Sequence, residues 1–513
     1  MNREFNEKEL GLITTPEKTA RYLISKLGDI NKNGKVLDPC VGPGVFIKIL
    51  LENNIDPSQI YAFDLNEKYK KPLEELAIHF KIKDTLLDIS EDNFSRFDFI
   101  VGNPPYLNKS SKYIKKNKNK LKKLYGSINA HETYSMFIVN SVWRLKEGGI
   151  LSFITSDSFL TLKTHKKLRK FILEHCIVKE LLLAPSDLFL NQDVNTSPAI
   201  IVLEKKSGKS NQPKRLNNVM RVIPRVKNEN QYQNPPKVIR FKQKKYHLLP
   251  FNVFFIDIEE EIIDLFDQSP RMRNYMRGFI GMHTHNNRKY IAAIEGTELS
   301  QIFQNRNEKI KNPEKKYKII PRKSLNSDEW KPYMKRGGLD QYYRPIMEGL
   351  DWREESRKIY DIPSNAPFEQ EGIVISGVSS RLAARYMPPG CYWDSNKAMG
   401  FIIKDSRFSI EYILGLLNSS LYNYLAKGII NNTASIQLTG LHSLPIILPE
   451  KDVKIKVEKL VREIISSKKK NVHYDYSREQ KEIDRLIFEF YAKKFDFPIS
   501  LKEKLERKYT IYA

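Results

Sequence analysis

The chain has 513 residues, 41% of them hydrophobic, more than one ordinary core holds, so two domains of roughly 200 to 270 residues are expected. Lys and Arg number 86 against 61 Asp and Glu, a formal net charge of +25, which points to a polyanionic partner, nucleic acid first. Cys40, Cys176 and Cys391 are far apart and without CxxC spacing, and no run of 18 apolar residues occurs; no disulfide framework, structural zinc, signal peptide or membrane span is expected, and the expected location is the cytoplasm.

From the amino end, Thr14, Thr15, Pro16 and Glu17 predict a helix start: a Thr cap with Pro at the first helical position, then Ala20, Leu23, Ile24 and Leu27 at helical spacing. Lys35 to Pro39 (KVLDP) predicts a strand ending in Asp38, CVGPG a glycine turn, and Val45 to Leu51 a helix. Gly42 and Gly44 let the backbone approach a ligand at that helix's amino terminus. A second strand, Ile60 to Phe63, ends in Asp64, twenty residues beyond Gly44, where an acid is placed to accept hydrogen bonds from ribose hydroxyls. A third short strand ends at Asp84 and a fourth, Phe97 to Val101, runs into Gly102, which frees the backbone as strand gives way to loop.

Asn103 therefore stands at the carboxyl end of a strand, the edge where open α/β sheets bind ligands. Pro104 and Pro105 stiffen the loop and bring no N–H, so it offers acceptors: the Asn103 side-chain oxygen and the Pro104 carbonyl, beside the Tyr106 ring. An amino group on an aromatic ring fits that set, with two hydrogens for two acceptors and a ring to stack. A proline turn with an Asn cap is the other reading of these four residues.

The order KVLDP, CVGPG, Asp64, Asp84 and NPPY resembles the Taq-type (gamma-arranged) N6-adenine DNA methyltransferases of restriction-modification systems; the tetrapeptide alone is shared with protein-glutamine and some RNA methyltransferases. The resemblance implies an α/β fold: a Rossmann-like S-adenosylmethionine-dependent methyltransferase domain followed by an α+β DNA target-recognition domain. Asn103, Pro104, Pro105 and Tyr106 are then the catalytic loop. Thr14 and Thr15 begin a helix that closes over the methionine end of S-adenosylmethionine, Asp38 serves the cofactor's ammonium, and Asp84 recognises the amino group of its adenine. Phe189 takes the place of an aromatic that stacks on the extruded adenine opposite Tyr106; without the resemblance, an aromatic in a Leu-Phe-Leu run reads as core.

Asn108 to Lys123 contains eight lysines from Lys109 onward and no acid, a solvated loop whose Lys109, Lys112, Lys115 and Lys116 are candidates for phosphates around the target base. Tyr134 to Leu145 predicts a helix, and strands follow at Gly148 to Leu160 and Ala199 to Leu203. Lys205 to Lys245 has 13 Lys or Arg against one acid, Glu229, and reads as a linker. The domains are placed at 1–225 (catalytic), 226–245 (basic linker) and 246–513 (target recognition).

The second half shows no catalytic constellation, and its segments from Gly278 to Ala292, Ile319 to Leu325, Gly377 to Asn396 and Tyr412 to Gly428 resemble the family's recognition domain. The first departs from the family's TGxN, having Thr284, His285, Asn286 and Asn287. His283 and His285 flank Thr284 with no third ligand nearby, so no metal is expected. Arg322, Arg381 and Arg385 are candidates for DNA contact. The chain is read as a site-specific adenine methyltransferase, a monomer on double-stranded DNA, with a separate cognate restriction endonuclease as a candidate partner. The rival readings are an RNA or protein-glutamine methyltransferase and a non-catalytic DNA-binding component of a defence complex.

Overall fold

Strands that are apolar on both faces become the middle of a sheet covered on both sides. That is the case for β1 (Val36–Asp38), buried throughout, and for β4 (Phe97–Gly102) and β5 (Leu145–Ser156), each buried towards its carboxyl end. With β2 (Ile60–Asp64), β3 (His79–Ile82), β6 (Cys176–Leu183), β7 (Pro198–Lys205), β8 (Val219–Ile223) and β9 (Ile239–Lys242) they form one nine-stranded sheet in the order β3-β2-β1-β4-β5-β7-β6-β8-β9. β1 to β5 run parallel, while β7 is antiparallel to both β5 and β6. The order reverses between β1 and β4. A doubly wound sheet opens a ligand crevice at the carboxyl ends of the strands beside such a point.

The computed structural model describes residues 9, 11–30, 34–89, 95–128, 131–192, 197–325, 327–335, 338–395, 398–430 and 436–510. The chain divides into two units, Met1–Ile258 and Glu259–Ala513. Three sequence expectations change here. The helix after Thr14 starts at Glu17 with Pro16 as its N-cap, one residue later than expected, and no side chain caps it. The lysine-rich segment is a helix, Lys112–Tyr125, because Ser111 accepts from the Ile114 N–H and Tyr113, Ile114, Leu121 and Tyr125 supply a buried stripe. Finally, residues 226–245 are not free connecting chain: β9 pairs antiparallel with β8, and β8 pairs with β6, so this basic stretch completes the first unit's sheet.

Helices Glu17–Ser25 and Val45–Glu52 share one apolar cluster with Val36, Val101, Ile154, Ile200 and Val202, so they cover one face of the sheet. Phe189 belongs to the same cluster.

The second unit contains an antiparallel sheet of β10 (Met276–Ile280), β18 (Ala398–Ile403), β15 (Gly372–Ser376) and β16 (Ala384–Met387), in that order. A mixed sheet holds β11 (Ile291–Ile294), β12 (Lys318–Ile320), β13 (Trp330–Met334), β14 (Glu348–Asp351) and β17 (Tyr392–Trp393). Trp393, fully buried, packs against Phe368, and an added Cβ at Gly400 would come within 2.2 Å of its ring, so glycine is needed for that approach. Helices Ile410–Asn418, Lys451–Lys470, Ser477–Phe495 and Ile499–Lys508 complete the unit, with Tyr412, Ile413 and Leu416 of the first and Ile483, Leu486 and Ile487 of the third buried in its core.

Candidate active site

The turn after β1 is shaped by two left-handed glycines, Gly42 at φ +51° and Gly44 at φ +89°, the second being the N-cap of helix Val45–Glu52. A Cβ at Gly42 would stand 3.1 Å from Leu12 Cδ1, so that residue is held to glycine by both conformation and space. The freed backbone meets Asp64, whose Oδ2 accepts from the Gly42 N–H at 2.8 Å and whose Oδ1 accepts from Asn66 at 2.8 Å. Asp84 accepts from the Leu86 and Leu87 N–H groups at 3.0 and 3.1 Å and from the Tyr113 hydroxyl at 2.9 Å. Burial raises the pKa of both acids.

These acids line one cleft. Its walls are the segments 11–15, 39–43, 64–66 and 83–86 with Asn103 and Pro105, so it joins the carboxyl ends of β1, β2 and β4. Thr14, Gly42, Asp64 and Asp84 are on its surface. Asp38 lies beneath it, 1% exposed, with an added Cβ at Gly102 only 3.2 Å from its Oδ1. Its Oδ1 accepts from Cys40 N–H at 3.1 Å, whereas Oδ2 is buried without a donor among the described residues. Burial, reinforced by Asp64, pushes the Asp38 pKa up to about 8.

At the rim, the Asn103 amide Nδ2 donates to the Ile13 carbonyl at 3.0 Å, which leaves Oδ1 as the free end, buried and without a donor among the described residues. Tyr106 sits in an aromatic group, edge-on to Tyr134 at 6.1 Å and to Phe189 at 6.3 Å, and burial raises its phenol pKa. Phe189 is 1% exposed and perpendicular to Tyr106. A base sandwiched between two rings needs them parallel, so here Phe189 is a core residue that supports Tyr106.

Three positioning residues escaped the sequence reading. Thr133 Oγ1 donates to the Pro105 carbonyl and accepts from Leu107 N–H at 3.0 Å, which clamps the loop from behind. Gln192 pairs with the Thr14 backbone in both directions, accepting from its N–H at 2.7 Å and donating to its carbonyl at 2.9 Å. Tyr134 bonds Ser158 Oγ at 2.6 Å and His165 Nε2 at 2.9 Å, and the imidazole in turn meets Glu132 Oε2 at 2.6 Å. None forms a local motif; for Thr133 alone, its place as the first residue of a helix was a signal.

Of the lysines, Lys109, Lys115 and Lys116 are exposed, while Lys112 is engaged by Glu9. In the second unit Arg322 is exposed, Arg381 half-buried and Arg385 wholly buried. Arg385 donates to the Asp340 carbonyl at 3.3 Å and to Ser376 Oγ at 3.2 Å, and burial lowers its pKa to about 10. The expectation that it contacts DNA is therefore corrected: a side chain with no exposed surface serves the core.

The strand order, the reversed β7 and an NPPY loop beside the switch point define the first unit as a Rossmann-like methyltransferase domain. Residues 25–189 match the family model of the Eco57I restriction-modification methylase, and residues 306–446 that of the TaqI-like C-terminal specificity domain; the chain is a methylase domain of the restriction-modification type followed by a TaqI-like specificity domain.

Its curated relatives include the Type II methyltransferase M.HincII of Haemophilus influenzae, 28% identical over 184 residues, 35% of this chain and 34% of the relative. The Type II methyltransferase M.TthHB8I of Thermus thermophilus is 30% identical over 182 residues, 32% of this chain and 39% of the relative. These matches span little more than a third of each relative. The DNA complex of the Type IIL restriction-modification enzyme MmeI shares the fold at TM-score 0.54 and 12% identity, covering 96% of this chain and 75% of that one. No described helix is long and apolar enough to cross a membrane.

Proposed function

We propose that the chain is a site-specific DNA methyltransferase that transfers a methyl group from S-adenosylmethionine to the N6 amino group of an adenine flipped out of duplex DNA. The observation that carries this reading is the Asn103 side chain, whose amide is tied to Ile13 so that its buried oxygen, without a donor among the described residues, is left to accept from a substrate amino group. Burying such an acceptor costs about 1 to 3 kcal/mol, which the N6 hydrogen would offset.

The cleft fits the cofactor: Asp64 and Asp84 line it, Asp64 against the glycine turn, and Asp38 is buried beside Asp64 with an oxygen that has no donor among the described residues. When bound, S-adenosylmethionine supplies the electrophilic sulfonium methyl. The protein's own part is to hold and orient. Asn103 Oδ1 and the Pro104 carbonyl accept the two amino hydrogens, which withdraws the nitrogen lone pair from the ring and turns it towards the cleft. Positioning of this kind carries most of the acceleration.

Extruding the base costs a few kcal/mol. Stacking on an aromatic returns about 1 to 3 kcal/mol, and Tyr106 is the platform. For Phe189 to join as a second face, the segment carrying it must leave the core.

The test is transfer of a labelled methyl group from S-adenosylmethionine to unmethylated duplex DNA, followed by nucleoside analysis. N6-methyladenine is expected, and Asn103→Ala is expected to abolish transfer while cofactor binding survives. Label found in RNA, protein or cytosine, or an active Asn103→Ala, overturns the reading.

A further inference from the structure

In the second unit, His283 and Asp361 face each other across an isolated antiparallel bridge, the His283 N–H donating to the Asp361 carbonyl at 3.1 Å and the Asp361 N–H to the His283 carbonyl at 3.0 Å. Two such residues project their side chains to the same side. His285 then enters with φ +60°, a left-handed conformation that residues with a Cβ rarely adopt. Its neighbours hold it there: Thr284 is 2% exposed and its hydroxyl donates to Asn287 Oδ1 at 2.6 Å, while Asn286 caps the following turn by accepting from the Lys289 N–H at 3.2 Å.

The outcome is convergence. The two imidazoles stand perpendicular with centroids 4.6 Å apart, and His285 Nε2 lies 2.9 Å from Asp361 Oδ2. One ligand atom from each of the three side chains lies within 4.8 Å of the others. The turn closed by the Asn286 N–H on the Thr284 carbonyl at 2.7 Å sets this backbone and leaves the His285 side chain 50% exposed beside His283 and Asp361.

We propose that His283, His285 and Asp361 form a binding site for a divalent transition-metal ion. Two imidazoles and one carboxylate suit zinc, cobalt or nickel and not magnesium or calcium, whose sites are built from oxygen. Metal–donor distances of about 2.0 to 2.2 Å require donors somewhat closer together than the present cluster, a closure that exposed side chains make by small rotations. The ion replaces the His285–Asp361 hydrogen bond and leaves at least one coordination position to water. It ties the segment after β10 to the segment after helix Glu354–Arg357, so it acts as a staple of the specificity unit. The site lies outside the catalytic cleft, and nothing in it depends on the methylation reading.

The experiment uses the full chain, stripped of metal with a chelator and titrated with Co²⁺ followed by visible absorption, then with Zn²⁺ by calorimetry. One saturable Co²⁺ per chain, displaced by Zn²⁺ and unaffected by excess Mg²⁺, is expected, together with a higher melting temperature in the presence of Zn²⁺. Asp361→Asn and His283→Ala lose saturable binding. His285→Gly is the decisive variant: glycine takes φ +60° without strain, so the metal-free protein keeps its melting temperature, yet saturable binding and the Zn²⁺-induced shift disappear. No saturable binding by the parent chain, or binding unchanged in both His285→Gly and Asp361→Asn, overturns the site.

Discussion

Asp38 is a carboxyl whose surroundings were arranged for a guest. Burial, with Asp64 adding to it, lifts its pKa from 3.8 to about 8, so at neutral pH the unliganded group is protonated. A cationic ligand above it favours the ionised form and expels the proton. Affinity for S-adenosylmethionine is therefore expected to rise between pH 6 and 8 and to level off above about 8. Calorimetric titration across that range checks it, and Asp38→Asn is expected to flatten the profile at its low-pH value; a profile as steep as the parent's would exclude the role. The stability of the unliganded protein carries the opposite sign. Its folded pKa lies above the unfolded one, so between about pH 4 and 8 the native state binds more protons, and this group's contribution falls as pH rises through that window.

Arg385 illustrates the other side of the same physics. As a residue in a basic chain with a DNA-like partner it read as a contact, but β16 buries it. Arg385→Ala removes its bonds to Asp340 and Ser376 and leaves a cavity, so a destabilisation of about 2 to 5 kcal/mol is expected in denaturant melts. Arg322→Ala, at an exposed position, is expected to leave stability within about 0.5 kcal/mol.

At the scale of elements, the Ile13–Thr14 segment and the NPPY loop are joined by side chains that neither local sequence announces. Gln192 holds Thr14 in both directions, and one residue earlier the Ile13 carbonyl holds Asn103. The segment that carries Gln192 and the Asn103 amide are thereby linked through Ile13 and Thr14. Gln192→Leu forfeits two hydrogen bonds worth about 0.5 to 1.5 kcal/mol each. The expected result is a fall of roughly tenfold in kcat with the Asn103-dependent chemistry intact, measured by single-turnover transfer. An unchanged kcat would mean that the Ile13–Thr14 segment is held by other contacts.

The two elements that sequence reading misplaced share one cause. Helix Lys112–Tyr125 hides a four-residue stripe among seven lysines, and β9, half open to solvent, alternates weakly. Charge dominates the composition of both, while the few apolar side chains that decide their structure find partners far away in the chain, as Tyr113 finds Asp84 and Tyr125 the Leu86 carbonyl. The strands around the cleft were legible because they are buried on both faces and end in an acid or a glycine.

At the scale of the molecule, the formal charge of +25 favours association with a polyanion, as the proposed DNA substrate requires. Exposed Lys109 follows the NPPY loop in a turn, and exposed Lys115 lies on the helix Lys112–Tyr125, which Tyr113, Ile114, Leu121 and Tyr125 anchor beneath. If each neutralises one phosphate, the double Lys→Ala variant lowers the slope of log K against log salt by about 1 to 2 and weakens all DNA sequences alike. Binding measured by fluorescence anisotropy at several salt concentrations checks this, and a slope equal to the parent's would place the phosphate contacts elsewhere.

The amino-acid sequence by itself determined the order of the catalytic unit, the strand-terminal acids and the NPPY loop, because each rests on local geometry: φ-restricted prolines, glycines at a turn, an acid at a strand's end. It also determined that a second, basic unit follows. Only the tertiary structure decided which oxygen of Asn103 is free, that Phe189 supports Tyr106 from the core, that Arg385 is internal, and that Asp361 completes a cluster with His283 and His285. Each of those outcomes depends on side chains brought together from segments far apart in the chain, and such contacts are made by folding and leave no periodicity to read.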